Sequence, residues 1–364
     1  MERRDFLKTV ASGVLVVGIS PSAVQAINSV QSPAHSSCPE LRFRENGRFK
    51  IMQMTDTHYK TTSGGGESTL ELMRRAIQMV QPDLIVLTGD IIMTPDTRAA
   101  WTTLSGVLSE GKIPWAVVFG NHDQEFELTK PQIIDLLAKQ PYNLTENGPK
   151  NISGNSNYIL QIRSSKSPKK TGAALYCFDS GQKDGLLHPE KPDWAWIHFD
   201  QIDWYRKQSA VLTAQNGGEP LPALAFFHIP FPEYREVIDQ PATVGLFMEK
   251  VSSPVINSGL FTSMCECKDV MGTFVGHDHT NNYIGCLHNI CLAYGYVSGR
   301  QASKGFKEMG CGVRIIELFE GERKFNTWLL QLSETGPNDL WNPLRQVEPK
   351  LLVSYPDSFK QVNG

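Results

Sequence analysis

Ile113-Pro114-Trp115-Ala116-Val117-Val118-Phe119-Gly120-Asn121-His122-Asp123 is the stretch from which the rest of the chain can be read. Residues 113–119 form an apolar run that ends at a turn, the pattern of a buried strand. Gly120 lets the backbone turn sharply at the strand end, so the next side chains project into a cleft. Asn121 offers a neutral amide oxygen suited to a hard or borderline cation. His122 is able to ligate a metal or move a proton, and Asp123 to orient it. Four such residues after a strand are commonly a surface turn, so the weight falls on what accompanies them.

Two similar units precede it. Residues 49–54 alternate as a strand and end in Thr55-Asp56-Thr57-His58. Residues 84–87 form a second apolar run and end in Thr88-Gly89-Asp90. Between them, Leu70, Met73, Ile77 and Val80 fall on one face of a helix over 67–80. A second helix is expected over 97–108. The order β-α-β-α-β implies an α/β fold with a parallel, two-sided sheet. In open α/β sheets, sites lie at the carboxyl ends of the strands.

The second half is less regular. A helix is expected over 131–138, a polar loop over 143–157, and a strand pair over 158–162 and 173–178 around a solvated basic loop, 163–170. A helix follows over 200–213. The strand at 221–227 ends at His228. A helix over 259–267 leads to a strand, 270–275, ending in Gly276-His277-Asp278-His279. Short strands continue over 283–296, 313–319 and 325–332. Residues 337–364 are polar and expected to wrap the surface.

Five strand ends thus carry Asp56 with His58, Asp90, Asn121 with His122, His228, and His277 with His279. A lone histidine after a strand is usually structural; five coincidences in one chain are hard to assign to chance. Two carboxylates, an amide and four of these five imidazoles suit two metal ions with one carboxylate shared. Two divalent ions bring about +4 and the two aspartates with a hydroxide remove about 3, leaving a net positive centre that attracts a phosphate oxyanion. The global charge is only -3 over 364 residues, so no overall field favours nucleic acid or an anionic membrane.

The ordered set Asp56-Thr57-His58, Gly89-Asp90, Gly120-Asn121-His122-Asp123, His228 and Gly276-His277-Asp278-His279 resembles the calcineurin-like metallophosphoesterases. The chain is similar in particular to their purple-acid-phosphatase-related branch. That similarity rests on Pro82-Asp83-Leu84-Ile85-Val86-Leu87-Thr88-Gly89-Asp90, Phe227-His228-Ile229-Pro230 with Pro232-Glu233-Tyr234, and Asn257-Ser258-Gly259. Purple acid phosphatases proper carry a tyrosine three residues after the shared aspartate. Here Met93 stands there, which removes the expectation of a purple charge-transfer band.

The resemblance implies a two-sheet mixed β-sandwich flanked by helices. It implies hydrolysis of phosphate esters, monoesters foremost, by a bridging hydroxide between two ions of manganese, zinc or iron. It gives Asp56, His58 and His279 to the first ion, Asn121, His228 and His277 to the second, and Asp90 to both. His122 faces the phosphate, Asp123 holds its tautomer, and Asp278 points away. The substrate is expected to be a phosphorylated small molecule or surface group, not nucleic acid. Alternatives are a phosphodiesterase acting on nucleotides or phospholipid headgroups, a nuclease, and a non-catalytic protein that holds a phosphorylated ligand through its metals.

The ends read differently. Glu2-Arg3-Arg4-Asp5-Phe6-Leu7-Lys8, an apolar run over 10–19 and Val24-Gln25-Ala26 form an export signal over 1–26. Its paired arginines resemble the twin-arginine type, which places the mature chain in the bacterial periplasm or outside the cell. No other segment is apolar for long enough to span a membrane. A loose lead-in over 27–45, a catalytic domain over 46–335 and an extension over 336–364 complete the division. Of seven cysteines, Cys286 and Cys291 flank a turn and are placed to pair across a hairpin; idle thiols are the alternative. Ser63-Gly64-Gly65-Gly66 reads as a flap or a flexible connection. Tyr59, Phe231 and Tyr234, beside ligands in sequence, are expected to wall a substrate pocket or to pack.

Overall fold

The computed structural model describes residues 39–359 apart from 63, 185, 187–188, 191–192, 301, 303–309 and 334–349. The export signal, most of the lead-in, Cys38 and His188 lie outside the described residues. The first sheet begins with the three units read from the sequence. β1 (Arg48–Met54), β2 (Leu84–Thr88) and β3 (Trp115–Val118) run parallel, linked by α1 (Gly64–Val80) and α2 (Thr97–Glu110). α3 (Lys130–Leu137) follows. β4 (Tyr158–Arg163), β5 (Thr171–Cys177), β8 (Ala223–Phe226), β9 (Val270–Val275), β10 (Ile284–Leu287) and β11 (Ile290–Tyr294) form the second sheet, in the order β10-β11-β9-β8-β5-β4. A short ribbon, β6 (Lys183–Asp184) with β7 (Asp193–Trp194), stands apart. α4 (Phe199–Gln215) and α5 (Leu260–Cys267) accompany the second sheet. β12 (Cys311–Phe319), β13 (Phe325–Ser333) and β14 (Lys350–Tyr355) return to the first, giving β14-β13-β12-β1-β2-β3.

Both sheets bury both faces, which is why their strands read as continuous apolar runs. In the first sheet Met52, Ile85, Leu87 and Val117 face the helices, where Trp101 and Leu104 meet them. Their neighbours Ile51, Leu84, Val86, Ala116 and Val118 face Leu175, Leu224, Phe226 and Phe274 of the second sheet. The far face of the second sheet packs Tyr176, Ala225 and Val275 against Tyr205, Leu260 and Met264 of α4 and α5. Each buried Leu or Ile contributes about 1.5–3 kcal/mol on either face. The result is helix, sheet, sheet, helix: the expected mixed two-sheet sandwich.

Polar side chains cross between the sheets near the strand ends. Gln53 Nε2 of β1 donates to Val275 O of β9 at 3.0 Å. The buried Arg314 of β12 donates to Tyr294 O at 2.6 Å and to Asn282 O at 2.8 Å. Such groups are tolerated in a core because each finds an acceptor.

Two expectations need correction. Gly64, Gly65 and Gly66 are not a flap; they begin α1. A Cβ on Gly66 would lie 2.0 Å from Lys60 O, so close backbone approach accounts for glycine there. The reading of 337–364 as a polar wrap misses β14, which pairs with β13 at the sheet edge. In the cysteine hairpin, Cys286 and Cys291 are joined by a disulfide at directly opposed positions. His288 and Asn289 turn it with φ of 47° and 63°, as a primed two-residue turn requires. Among the described residues no helix is long and apolar enough to cross a membrane.

Candidate metal centre

The ligand-type residues gather where the strand ends of the two sheets meet. β1, β2 and β3 of the first sheet deliver Asp56 with His58, Asp90, and Asn121 with His122; β8 and β9 of the second deliver His228, and His277 with His279. Asp56, His58, Asp90 and His277 hold positive φ of 49°, 42°, 54° and 78°. Such backbone costs roughly 1–3 kcal/mol per residue and concentrates at functional sites. Hydrogen bonds hold it in place: Asp56 N to Gly89 O at 3.0 Å and His58 N to Asp90 O at 3.1 Å.

The motif glycines serve close approach more than turning. A Cβ on Gly120 would lie 2.2 Å from Asp90 Oδ1, and one on Gly276 would lie 1.9 Å from Thr55 Oγ1 and 2.5 Å from Asp56 Oδ2. Gly120 is not among the positive-φ residues, so its expected role as a sharp turn gives way to this packing.

Two groups of potential ligands result: Asp56, His58 and His279, and Asp90, His228 and His277. In the first, Asp56 Oδ1 lies 3.4 Å from His279 Nε2 and 3.9 Å from His58 Nε2. In the second, Asp90 Oδ2 lies 3.1 Å from His228 Nε2. The same oxygen is 3.8 Å from His58 Nε2, so Asp90 faces both groups. His228 Nδ1 donates to Thr88 O at 2.7 Å, which leaves Nε2 for the centre. Asp56 Oδ1, His58 Nε2, Asn121 Oδ1 and His277 Nε2 are buried without a hydrogen-bond partner. A buried polar atom left unpaired costs about 1–3 kcal/mol. All four are expected ligand atoms, and mixed nitrogen and oxygen donors of this kind fit manganese, zinc or iron. The residues therefore fit two cations.

Electrostatics agree. Burial pushes the Asp90 carboxyl up, but His228 and His58 outweigh it and hold the group well below the usual carboxylate range. Asp56 lies at about 2: burial is again outweighed, here by His228 and His279. His228 is pushed up to about 10, because Asp90 and Asp56 overcome its burial. His277, buried beside the charged His228, is pushed down to about 3. The metal-free centre thus keeps a proton on His228 at pH 7. A cation needs that lone pair, so metal binding is expected to release about one proton. Affinity should therefore fall as pH falls. Titration calorimetry in buffers of different ionisation enthalpy checks this; binding heats independent of buffer would contradict it.

His122 is one-third exposed, with Nε2 3.9 Å from Asp90 Oδ2, while its backbone N–H donates to Asp90 Oδ1 at 2.8 Å. Asp123 does not hold its tautomer. The Asp123 carboxylate accepts from Gly120 N at 2.7 Å, Ile91 N at 2.7 Å and Asp90 N at 2.9 Å, clamping two ligand loops together. Glu125 lies nearer, with Oε1 2.7 Å from His122 Nδ1, but off the direction of a ring hydrogen bond, so Nδ1 is left without a hydrogen-bond partner. The i,i+3 spacing was the available sign of it. Asp278 points away as expected, accepting from Tyr294 OH at 2.5 Å and Ser252 N at 3.1 Å. Tyr59, Phe231 and Tyr234 are core residues, not pocket walls. His198 stands at the N-cap of α4 and His288 in the hairpin turn. One neighbour carried no sequence signal: the Trp194 ring packs perpendicular to His277, centroids 4.4 Å apart.

Fold and site together define a two-sheet protein with two groups of side chains of the kind that hold metal ions. The chain belongs to the calcineurin-like phosphoesterase family, whose model matches residues 49–281. Its relatives are related to purple acid phosphatases. "Probable inactive purple acid phosphatase 29" of Arabidopsis thaliana is 34% identical over 317 residues, covering 79% of this chain and 81% of that protein. "Phosphatase DCR2" of Saccharomyces cerevisiae is 29% identical, covering 81% of this chain and 56% of that protein. Among solved structures, a dimetal phosphatase from Danio rerio superposes with a TM-score of 0.53 at 13% identity, covering 77% of this chain and 95% of that one. That likeness concerns the fold.

Proposed function

We propose that the chain is a metal-dependent phosphomonoesterase. The observation that carries this is the set of four buried, unpartnered ligand atoms converging from both sheets, with His122 beside the shared Asp90. Two cations, when bound, supply Lewis acidity to phosphoryl oxygens and water acidic enough to attack near neutral pH. The chain's own residues do the rest. Asp90 fixes the His122 backbone through Oδ1 while offering Oδ2 to the centre. His122 Nε2, 3.9 Å from Asp90 Oδ2, is the ring atom turned to the centre, placed to protonate the departing oxygen.

His122→Ala is expected to lower turnover about 10²–10⁴-fold. Metal content should stay at two, because His122 belongs to neither ligand group. Loss of metal in this variant would instead make His122 a ligand.

The proposal is tested by hydrolysis of p-nitrophenyl phosphate and bis-p-nitrophenyl phosphate after loading with manganese, zinc or iron. Faster turnover of the monoester supports the reading. A diesterase, including one acting on phospholipid headgroups, is the second reading, and one observation favours it. Among the described residues, six of the eight exposed large apolar side chains, Phe126, Leu186, Leu246, Phe247, Met248 and Val255, lie on loops tied in sequence or by hydrogen bonds to the segments around the centre. Leu246 N and Met248 N bond to Asn282 and Asn281, just past His279, and Val255 N bonds to Asp193 of the ribbon. An apolar leaving group would meet them. The names of the plant relatives, which call them probably inactive, favour a third outcome: no turnover of either ester.

A further inference from the structure

We propose that Lys183, held on the face of Trp194, forms a second anion subsite beside the metal centre. The substrates would then be phosphoesters carrying a further anionic group, as a diphosphate or a doubly phosphorylated compound does. This rests on the phosphoesterase reading and narrows it.

The β6–β7 ribbon is fastened to the centre on three sides. At its start, Gln124 Nε2, two residues past His122, donates to Gln182 Oε1 at 3.0 Å. At its end, the Trp194 ring packs on the ligand His277. On the side of the 249–256 loop, Val255 N donates to Asp193 Oδ2 at 3.0 Å. The ribbon therefore lies between the phosphate-facing histidine and a ligand of the second ion.

Lys183 pairs with Trp194 across the ribbon, and its Nζ lies 5.3 Å from the Trp194 ring centroid. The two ring contacts together keep the ammonium within roughly 10 Å of the His277 ring, where the indole face attracts it. The ribbon's own carboxylates accept backbone N–H groups, and among the described residues none forms a salt bridge with Lys183. Asp184 Oδ1 accepts from Leu186 N at 2.6 Å, and Asp193 Oδ2 from Val255 N. The ammonium is exposed, so an incoming anion meets it without a buried-charge penalty. A phosphate seated on the centre places anything attached to it against this ribbon, the loop that carries Phe126, or the 246–256 loop. Of the contacts just described, Lys183 supplies the positive charge.

The test measures binding and is independent of turnover. Methylphosphonate and methylenediphosphonate, neither of which is hydrolysed, are titrated by calorimetry into the metal-loaded full chain. The same is done with Lys183→Ala and Lys183→Arg, after metal content confirms two ions in each. In Lys183→Ala the diphosphonate should bind about tenfold more weakly and the monophosphonate within about twofold of wild type, with Lys183→Arg recovering part of the loss. Unchanged diphosphonate affinity in Lys183→Ala would overturn the subsite. So would a parallel loss for both ligands, which would make Lys183 a general electrostatic contributor. The two readings fail separately. No turnover of any ester, with the Lys183-dependent preference intact, removes the phosphoesterase and keeps the subsite. Metal-dependent turnover without that preference does the reverse.

Discussion

Asp90→Asn is expected to lower turnover by at least about 10³-fold and to reduce bound metal below two ions per chain. The Asp90 carboxylate faces both ligand sets, with Oδ2 3.1 Å from His228 Nε2 and 3.8 Å from His58 Nε2. Asparagine keeps one oxygen and the shape but removes the charge and the ability to serve two cations at once. A lost metal contribution is worth several kcal/mol, and each 1.36 kcal/mol is a factor of ten in rate. Metal analysis and p-nitrophenyl phosphate turnover on one preparation check both parts. Two retained ions with turnover within tenfold of wild type would show that Asp90 is not shared.

The second large effect concerns stability. Lys130→Met is expected to lower the unfolding free energy by about 3–5 kcal/mol, the usual result of removing one partner of a buried ion pair. Lys130 Nζ lies 2.8 Å from Asp179 Oδ1, with the two side chains only 3% and 2% exposed. Without the lysine, Asp179 keeps Asn155 N at 2.7 Å and Gly181 N at 2.9 Å, which places the loss toward the lower end. Urea unfolding followed by circular dichroism measures it. Adding Asp179→Asn should recover part of the loss, because the orphaned charge is then gone. A single variant as stable as wild type would mean that water reaches the pair. Ser180, next to Asp179, accepts from Ile229 N at 2.9 Å, so this pair also anchors the segment after His228.

Much of the centre was legible because each ligand follows an apolar strand, and strand ends are where α/β sheets place their sites. Asp56, Asp90 and His277 stand out this way without any contact being known. Neighbouring roles were not legible. Whether Asp123 lies against His122 depends on the path of a tight turn, and the turn sends that carboxylate inward to three backbone N–H groups. Trp194 was invisible because its segment carries no periodic pattern and reaches His277 only through the tertiary fold. The strand pairing was equally hidden. β12 lies beside β1 in the first sheet although the whole second sheet intervenes in sequence, and β14 is a short strand beyond a long polar stretch.

The division of the ligands between the sheets has a consequence for when the centre comes into being. Asp56 and His58 come from the first sheet and their companion His279 from the second; Asp90 and Asn121 come from the first, His228 and His277 from the second. A cation at either group would draw ligands from both sheets. Metal capture during refolding is therefore expected to follow docking of the sheets, and its rate to report the time at which the whole sandwich has closed.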